Sequence, residues 1–137
     1  MVSFPHNLTF LPPFSPGRYL SLDCEMVGVG INAKESSLAR VSLVNYHGAV
    51  IIDEYVKQRE RVVDYRTPWS GIRASDMING MSLVIRIVID SNPFIAKPFE
   101  EVQQTVNDLL DGRILVGHAV HNDLKVLIVF KSAWLKY

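Results

Sequence analysis

Leu22-Asp23-Cys24-Glu25-Met26-Val27-Gly28 decides how this chain is read. An apolar stretch that ends in two carboxylates one residue apart suits a strand, because alternate strand side chains share a face. Asp23 and Glu25 then project together, and Cys24 points into the opposite layer. Two adjacent carboxylates repel unless water or a cation neutralises them, and hard divalent ions such as Mg²⁺ or Mn²⁺ take oxygen ligands of this kind. An exposed strand end with two hydrated acids has the same local sequence, so the rest of the chain must separate the two readings.

Working outward, Arg18 to Val27 reads as a first strand, Leu38 to Asn45 as a second and Ala49 to Val56 as a third. The turn Tyr46-His47-Gly48 joins the last two as a hairpin. Phe99, Val102, Val106, Leu109 and Leu110 recur at steps of three and four, with Pro98 at the first helical position and Gly112 as a stop; this spacing predicts a helix. Arg113 to Val116 reads as a short buried strand, and Leu124, Leu127 and Ile128 mark one face of a helix starting near His121. The predicted order is β-β-β, helix, β, helix. Asp123 falls near the start of the last helix, where the macrodipole favours negative charge.

Composition describes one globular domain: 137 residues, 48% hydrophobic and 20% charged. Fourteen basic and fourteen acidic residues cancel, so net charge supplies no footprint for a polyanion, which would have to be bound locally. The single cysteine excludes an internal disulfide framework and is read as a buried core thiol rather than a nucleophile. The longest apolar run, Met81 to Ile89, is broken by Arg86 and is far shorter than the roughly 20 residues a membrane span needs; no membrane partner is expected. Residues 1–17, with Pro5, Pro12, Pro13 and Pro16, read as an irregular proline-rich tail.

Four ordered segments carry a family resemblance. They are Asp23-Cys24-Glu25-Met26-Val27-Gly28; Leu38-Ala39-Arg40-Val41-Ser42-Leu43-Val44-Asn45; Asp64-Tyr65-Arg66-Thr67 with Ser70-Gly71-Ile72; and Gly117-His118-Ala119-Val120-His121-Asn122-Asp123. From Arg18 to about Leu127, minus one segment, the chain closely resembles the DEDDh 3′-to-5′ exonucleases, specifically the RNA exonuclease subgroup of ribosomal-RNA-processing and interferon-stimulated enzymes. The resemblance implies an α/β, ribonuclease-H-like fold, a mixed five-stranded sheet flanked by helices, and two-metal hydrolysis of phosphodiester bonds. Two close cations can clamp a scissile phosphate, activate a water and stabilise the departing oxygen. By motif, Asp23 would bridge both Mg²⁺ or Mn²⁺ ions, Glu25 would bind the nucleophile-side ion and Asp123 would support the second. Met26 and Val27 would contact the terminal nucleotide, and Arg66 and Ser70 its sugar or phosphate. The implied partners are single-stranded RNA or DNA 3′ ends, and the implied address is the nucleus or nucleolus.

The chain departs from the family pattern twice. Such enzymes carry a late histidine followed five residues on by an aspartate, and these 137 residues do not contain that pair. His118 and His121 stand beside Asp123 rather than on a separate late helix, so neither is read as the general base. His118 is taken as a structural residue at a strand end, and His6 and His47 lie in a tail and a turn. The expectation is a partial exonuclease domain over residues 18–137, incomplete at its C-terminus and short of activity. Second, residues 80–95 interrupt the family pattern between Asn79 and an Ala-x-Pro-Phe helix start. Gly80-Met81 can be encoded with a GTATG splice donor and Ile95-Ala96 with a TAG acceptor, so the segment is read as a retained intron; a surface hairpin from Met81 to Ile89 is the alternative. Two function classes follow: a metal-dependent RNA exonuclease acting in ribosomal-RNA processing, or a non-catalytic nucleic-acid-binding or interaction module.

Overall fold

The computed structural model describes residues 15–77 and 96–127. The inferred insertion 80–95, the divergent stretch 128–137 and nearly all of the expected tail lie outside them. Strand β1 runs Tyr19–Val29, β2 Glu35–Asn45 and β3 Val50–Tyr55; a single helical turn α1 spans Thr67–Ser70, α2 Phe99–Leu110, β4 Ile114–Val116 and α3 Val120–Leu127. Short 3-10 turns occupy Ile31–Ala33 and Ala74–Met77. The predicted order holds, with each predicted strand end shifted by no more than three residues. The α1 turn is an addition that no hydrophobic period announces.

The sheet order is β3-β2-β1-β4, antiparallel from β3 to β1 and parallel between β1 and β4. This mixed sheet with helices is the expected fold class; four of the expected strands are present among the described residues. Leu20, Leu22 and Cys24 of β1 point to one side with Val41 and Leu43 of β2, and there they meet Val102, Val106 and Leu110 of α2 and Leu127 of α3. The three buried residues of α2 repeat at steps of four, so a single stripe of that helix seals the sheet. Gln103 Nε2 donates to the Leu127 carbonyl at 2.7 Å and ties α2 to α3.

A second, smaller core forms around Val27, Val29, Ala39 and Ile72. By alternation Val27 and Val29 share the side of Asp23 and Glu25, so the segment from Tyr65 to Met77 covers that side just beyond the acids. The change of environment coincides with a bulge: Glu25 pairs with Arg40 but Met26 pairs with Leu38, leaving Ala39 as the extra residue. Gly28 is required here by close approach, since a Cβ would lie 2.6 Å from the Ala33 Cβ while the Gly28 N–H donates to the Asp64 carbonyl at 2.7 Å.

The structure corrects one element. β4 was expected to be buried, yet Ile114 and Val116 are 40% and 53% exposed. Among the described residues β4 pairs only with β1 and forms the sheet edge, and its three residues are too few to reach under the helices.

Leu43 has no exposed surface and sits between the two helices and β1. Leu43→Ala should lower unfolding free energy by about 2–5 kcal/mol, the range for buried leucine truncation, measured by urea titration with an unchanged slope.

Candidate functional site

The acids owe their position to strand length. β4 runs parallel to β1 only as far as the Ser21–Val116 pair, so Asp23 and Glu25 lie past its end, where the chain turns through Gly117 into α3. Gly117 makes the turn tight: a Cβ there would sit 2.5 Å from Val120 Cγ1 and 3.6 Å from the Leu22 carbonyl oxygen. Asp123 therefore arrives in the first turn of α3, past the carboxyl end of β4 and beside the middle of β1, the kind of strand-end crevice that α/β sheets use for ligands.

The electrostatics show that these groups share one field. Burial pushes the Glu25 carboxyl above its ordinary value; Asp23 and Asp123 push it further and Arg40 opposes them. Asp123 is raised by burial and by Asp23, with His121 acting in the opposite direction. Burial and all three carboxylates push the Cys24 thiol far up, so it stays protonated in the core, as expected, and is no nucleophile. The residue that motif reading passed over is Arg40, directly opposite Glu25 in the sheet. Its Nε and Nη2 donate to Asp53 at 2.6 Å each, which holds the cation beside Glu25 rather than on it. The partner could not be read from sequence because the bulge at Ala39 moves the register by one.

The other predicted residues are placed differently. Val27 is fully buried in the second core and Met26 is half-buried. Ser70 is buried too: its hydroxyl donates to the Tyr65 carbonyl at 2.8 Å and accepts the Ile72 N–H at 3.0 Å. Arg66 takes a left-handed backbone (φ 52°) and is neither free nor solvated. Its N–H donates to Asp64 at 2.8 Å, and its guanidinium donates to Ser36 Oγ at 2.8 Å and to the Ala33 carbonyl at 3.0 Å. Arg66 and Ser70 thus fix the loop that covers Val27. His118 and His121 are both exposed, which removes His118 from a packing role at the strand end.

The donor set suits a hard divalent cation in kind, being three carboxylates in one field with no soft ligand exposed beside them. It does not form a closed cage: among the described residues no group of three or more His, Cys, Asp or Glu is drawn close enough to hold one ion.

Comparison with known proteins bears on the fold and on the class of protein. No family profile matches the chain. RNA exonuclease 4 of Cryptococcus neoformans is 51% identical over 114 residues, covering 83% of this chain and 24% of that protein. The catalytic unit of Neurospora crassa Pan2, with protease and nuclease domains, superposes with a TM-score of 0.65 at 25% identity over 88% of this chain and 18% of that one. The Saccharomyces cerevisiae Pan2 exonuclease module in complex with AAUUAA RNA shares the fold at a TM-score of 0.63 and 22% identity, over 82% of this chain and 20% of that one. The fold is therefore the ribonuclease-H-like one of DEDDh exonuclease domains. Within that class the chain is a relative of RNA exonuclease 4, and it spans about a quarter of the length of the relative described.

Because the folded state raises the Glu25 and Asp123 carboxyls, it binds their protons more tightly than the unfolded chain. The destabilisation is absent below the ordinary carboxylate range and appears as pH rises through it. In the presence of a chelator, Asp123→Asn should be more stable than the parent at pH 7 by at most about 1 kcal/mol, since solvent screens both groups. The difference should vanish in acid; thermal melts at both pH values read it.

Proposed function

We propose that this chain carries the core of a metal-dependent 3′-to-5′ exonuclease that hydrolyses single-stranded RNA. The observation that carries the reading is that Asp23 and Glu25 on one face of β1 and Asp123 in the first turn of α3 repel one another just past the carboxyl end of β4. Carboxylates kept together at the expense of their own ionisation mark a functional site more often than a structural one. The chain's similarity to a protein named RNA exonuclease 4 supports exonuclease action on RNA.

Asp23, the more exposed of the β1 acids, would hold Mg²⁺ or Mn²⁺ together with Glu25 and Asp123. When bound, such ions supply a metal-activated water and charge stabilisation at the phosphate. The protein's own contribution is placement: β1 fixes two acids on one face, Gly117 sets the approach of α3, and Arg40 limits the repulsion at Glu25. Three carboxylates leave the ion sites short of ligands, so the 137-residue chain should turn over little. A segment carrying the late histidine and aspartate would complete them. By resemblance alone, the reading extends to ribosomal-RNA maturation, to single-stranded 3′ ends as substrate and to a nuclear or nucleolar address.

The test has two readouts. Millimolar Mn²⁺ should raise the melting temperature of the parent chain but not that of Asp23→Ala. Release of nucleoside monophosphate from a 3′-labelled RNA should be weak for the chain and strong once the late segment is added, and it should fall at least about 10²-fold with Asp23→Ala, the scale for losing one transition-state electrostatic group. Metal stabilisation without release by the extended protein would favour the non-catalytic binding module. Robust release by the 137-residue chain would show that local residues already complete the site.

A further inference from the structure

The larger described cleft, about 270 Å³, is not at the acids but at the opposite end of β1, where Gly17 and Arg18 face the β2–β3 turn. Three rings gather there. Tyr19 and Tyr46 stand one step beyond the Leu20–Asn45 pair with centroids 6.1 Å apart, and the His47 ring meets Tyr46 edge-on at 5.5 Å. Tyr46 is 79% exposed and Tyr19 41%. The Arg18 guanidinium lies 5.9 Å from the Tyr19 ring centroid. Arg113, just before β4, is already engaged: its Nε donates to the Gly17 carbonyl at 2.9 Å and its Nη1 to the Leu109 carbonyl at the end of α2 at 2.5 Å. Among the described residues neither arginine is in an ion pair.

The turn that displays Tyr46 is held in advance. Asn45 Oδ1 accepts the N–H groups of His47 and Ala49, each at 3.0 Å, and Asn45 Nδ2 donates to the Ser15 carbonyl at 2.8 Å. A ring on such a turn is presented with little ordering left to be done on binding.

The cluster also shares a face with the acids. Tyr19, Ser21, Asp23 and Glu25 alternate along β1, and their cross-strand neighbours on that face include Val44 and Ser42. Between the rings and the carboxylates this face carries Ser21 with Val44 on one side and Val116 on the other, and no acidic side chain. Four residues of strand separate Tyr19 from Asp23, about 13 Å at the usual rise of roughly 3.3 Å per residue, or about four stacked nucleotides at roughly 3.4 Å each.

We infer that Tyr46 and Tyr19, flanked by Arg18 and His47, form a stacking platform for single-stranded RNA several nucleotides upstream of the end held at the acids. Flat rings beside an exposed guanidinium are the chemistry that grips single strands without reading sequence. The net charge of zero explains why composition did not reveal it: the positive charge is local. The inference rests on the exonuclease reading for its direction, but its binding test does not.

Fluorescence anisotropy with a labelled oligoadenylate of about ten nucleotides, in EDTA, should show Tyr46→Ala weakening affinity about 5- to 150-fold, the effect of losing one base–aromatic stack. Tyr46→Phe should bind like the parent. The ring's exposure means that Tyr46→Ala should keep the parent melting temperature. Unchanged oligoadenylate affinity in Tyr46→Ala, or an equal loss in Tyr46→Phe, would overturn the platform. Tyr46-dependent binding that survives in an extended protein unable to cleave any RNA would retain the platform and sink the exonuclease reading. Cleavage with no Tyr46 dependence would do the reverse.

Discussion

Two like charges one residue apart can persist on a strand only if they face solvent or a counter-ion while the intervening residue faces a sealed core. That constraint organises the protein. Leu20, Leu22 and Cys24 are held under α2 and α3, and this side of β1 cannot be exchanged for the other without burying Asp23 and exposing three apolar residues, because a one-residue slip of a strand inverts every side chain. The register is therefore fixed by the hydrophobic side, and the placement of the acids follows. Repulsion among Asp23, Glu25 and Asp123 is tolerated because the apolar contacts beneath them outweigh it.

The surroundings of the acids are built from backbone-level devices. The bulge at Ala39 brings Arg40 opposite Glu25 and frees the next stretch of β1 to pack under Ile72. Arg66, Thr67 and Ser70 bond their own loop and the start of β2, with Thr67 Oγ1 donating to the Ile72 carbonyl at 2.5 Å. The short β4 ends early enough for Gly117 to swing the start of α3 against the middle of β1. Each of these acts on position, which is what hydrolysis at a phosphate held by cations demands most of a protein.

Much of this could be read from the sequence, and the limits have physical causes. The α2 stripe, the hairpin at Tyr46-His47-Gly48 and the pairing of Asp23 with Glu25 were visible because period and turn chemistry are local properties. Asp123 could be placed with them only through its motif, since nothing local says where a helix start will land. The loop bonds of Arg66 and Ser70 could not be read from sequence, because a polar residue's partner is decided by tertiary contact. β4 reads as a buried strand from Ile114, Leu115 and Val116, yet it is an edge, since burial depends on which neighbours arrive. The aromatic cluster was hidden for the same reason: Tyr19 and Tyr46 are 27 positions apart by number and meet only through the β1–β2 register.

The central claim is that β1 and the start of α3 form one cation site, and Mn²⁺ titration followed by amide NMR tests it most directly. Substoichiometric Mn²⁺ should broaden the amides of Asp23, Cys24, Glu25 and Asp123 before all others, and Asp23→Ala should abolish the selectivity. First broadening at Glu100 and Glu101 of α2, or at Asp64 and Asp76 in the covering loop, would place the ion elsewhere and contradict the account.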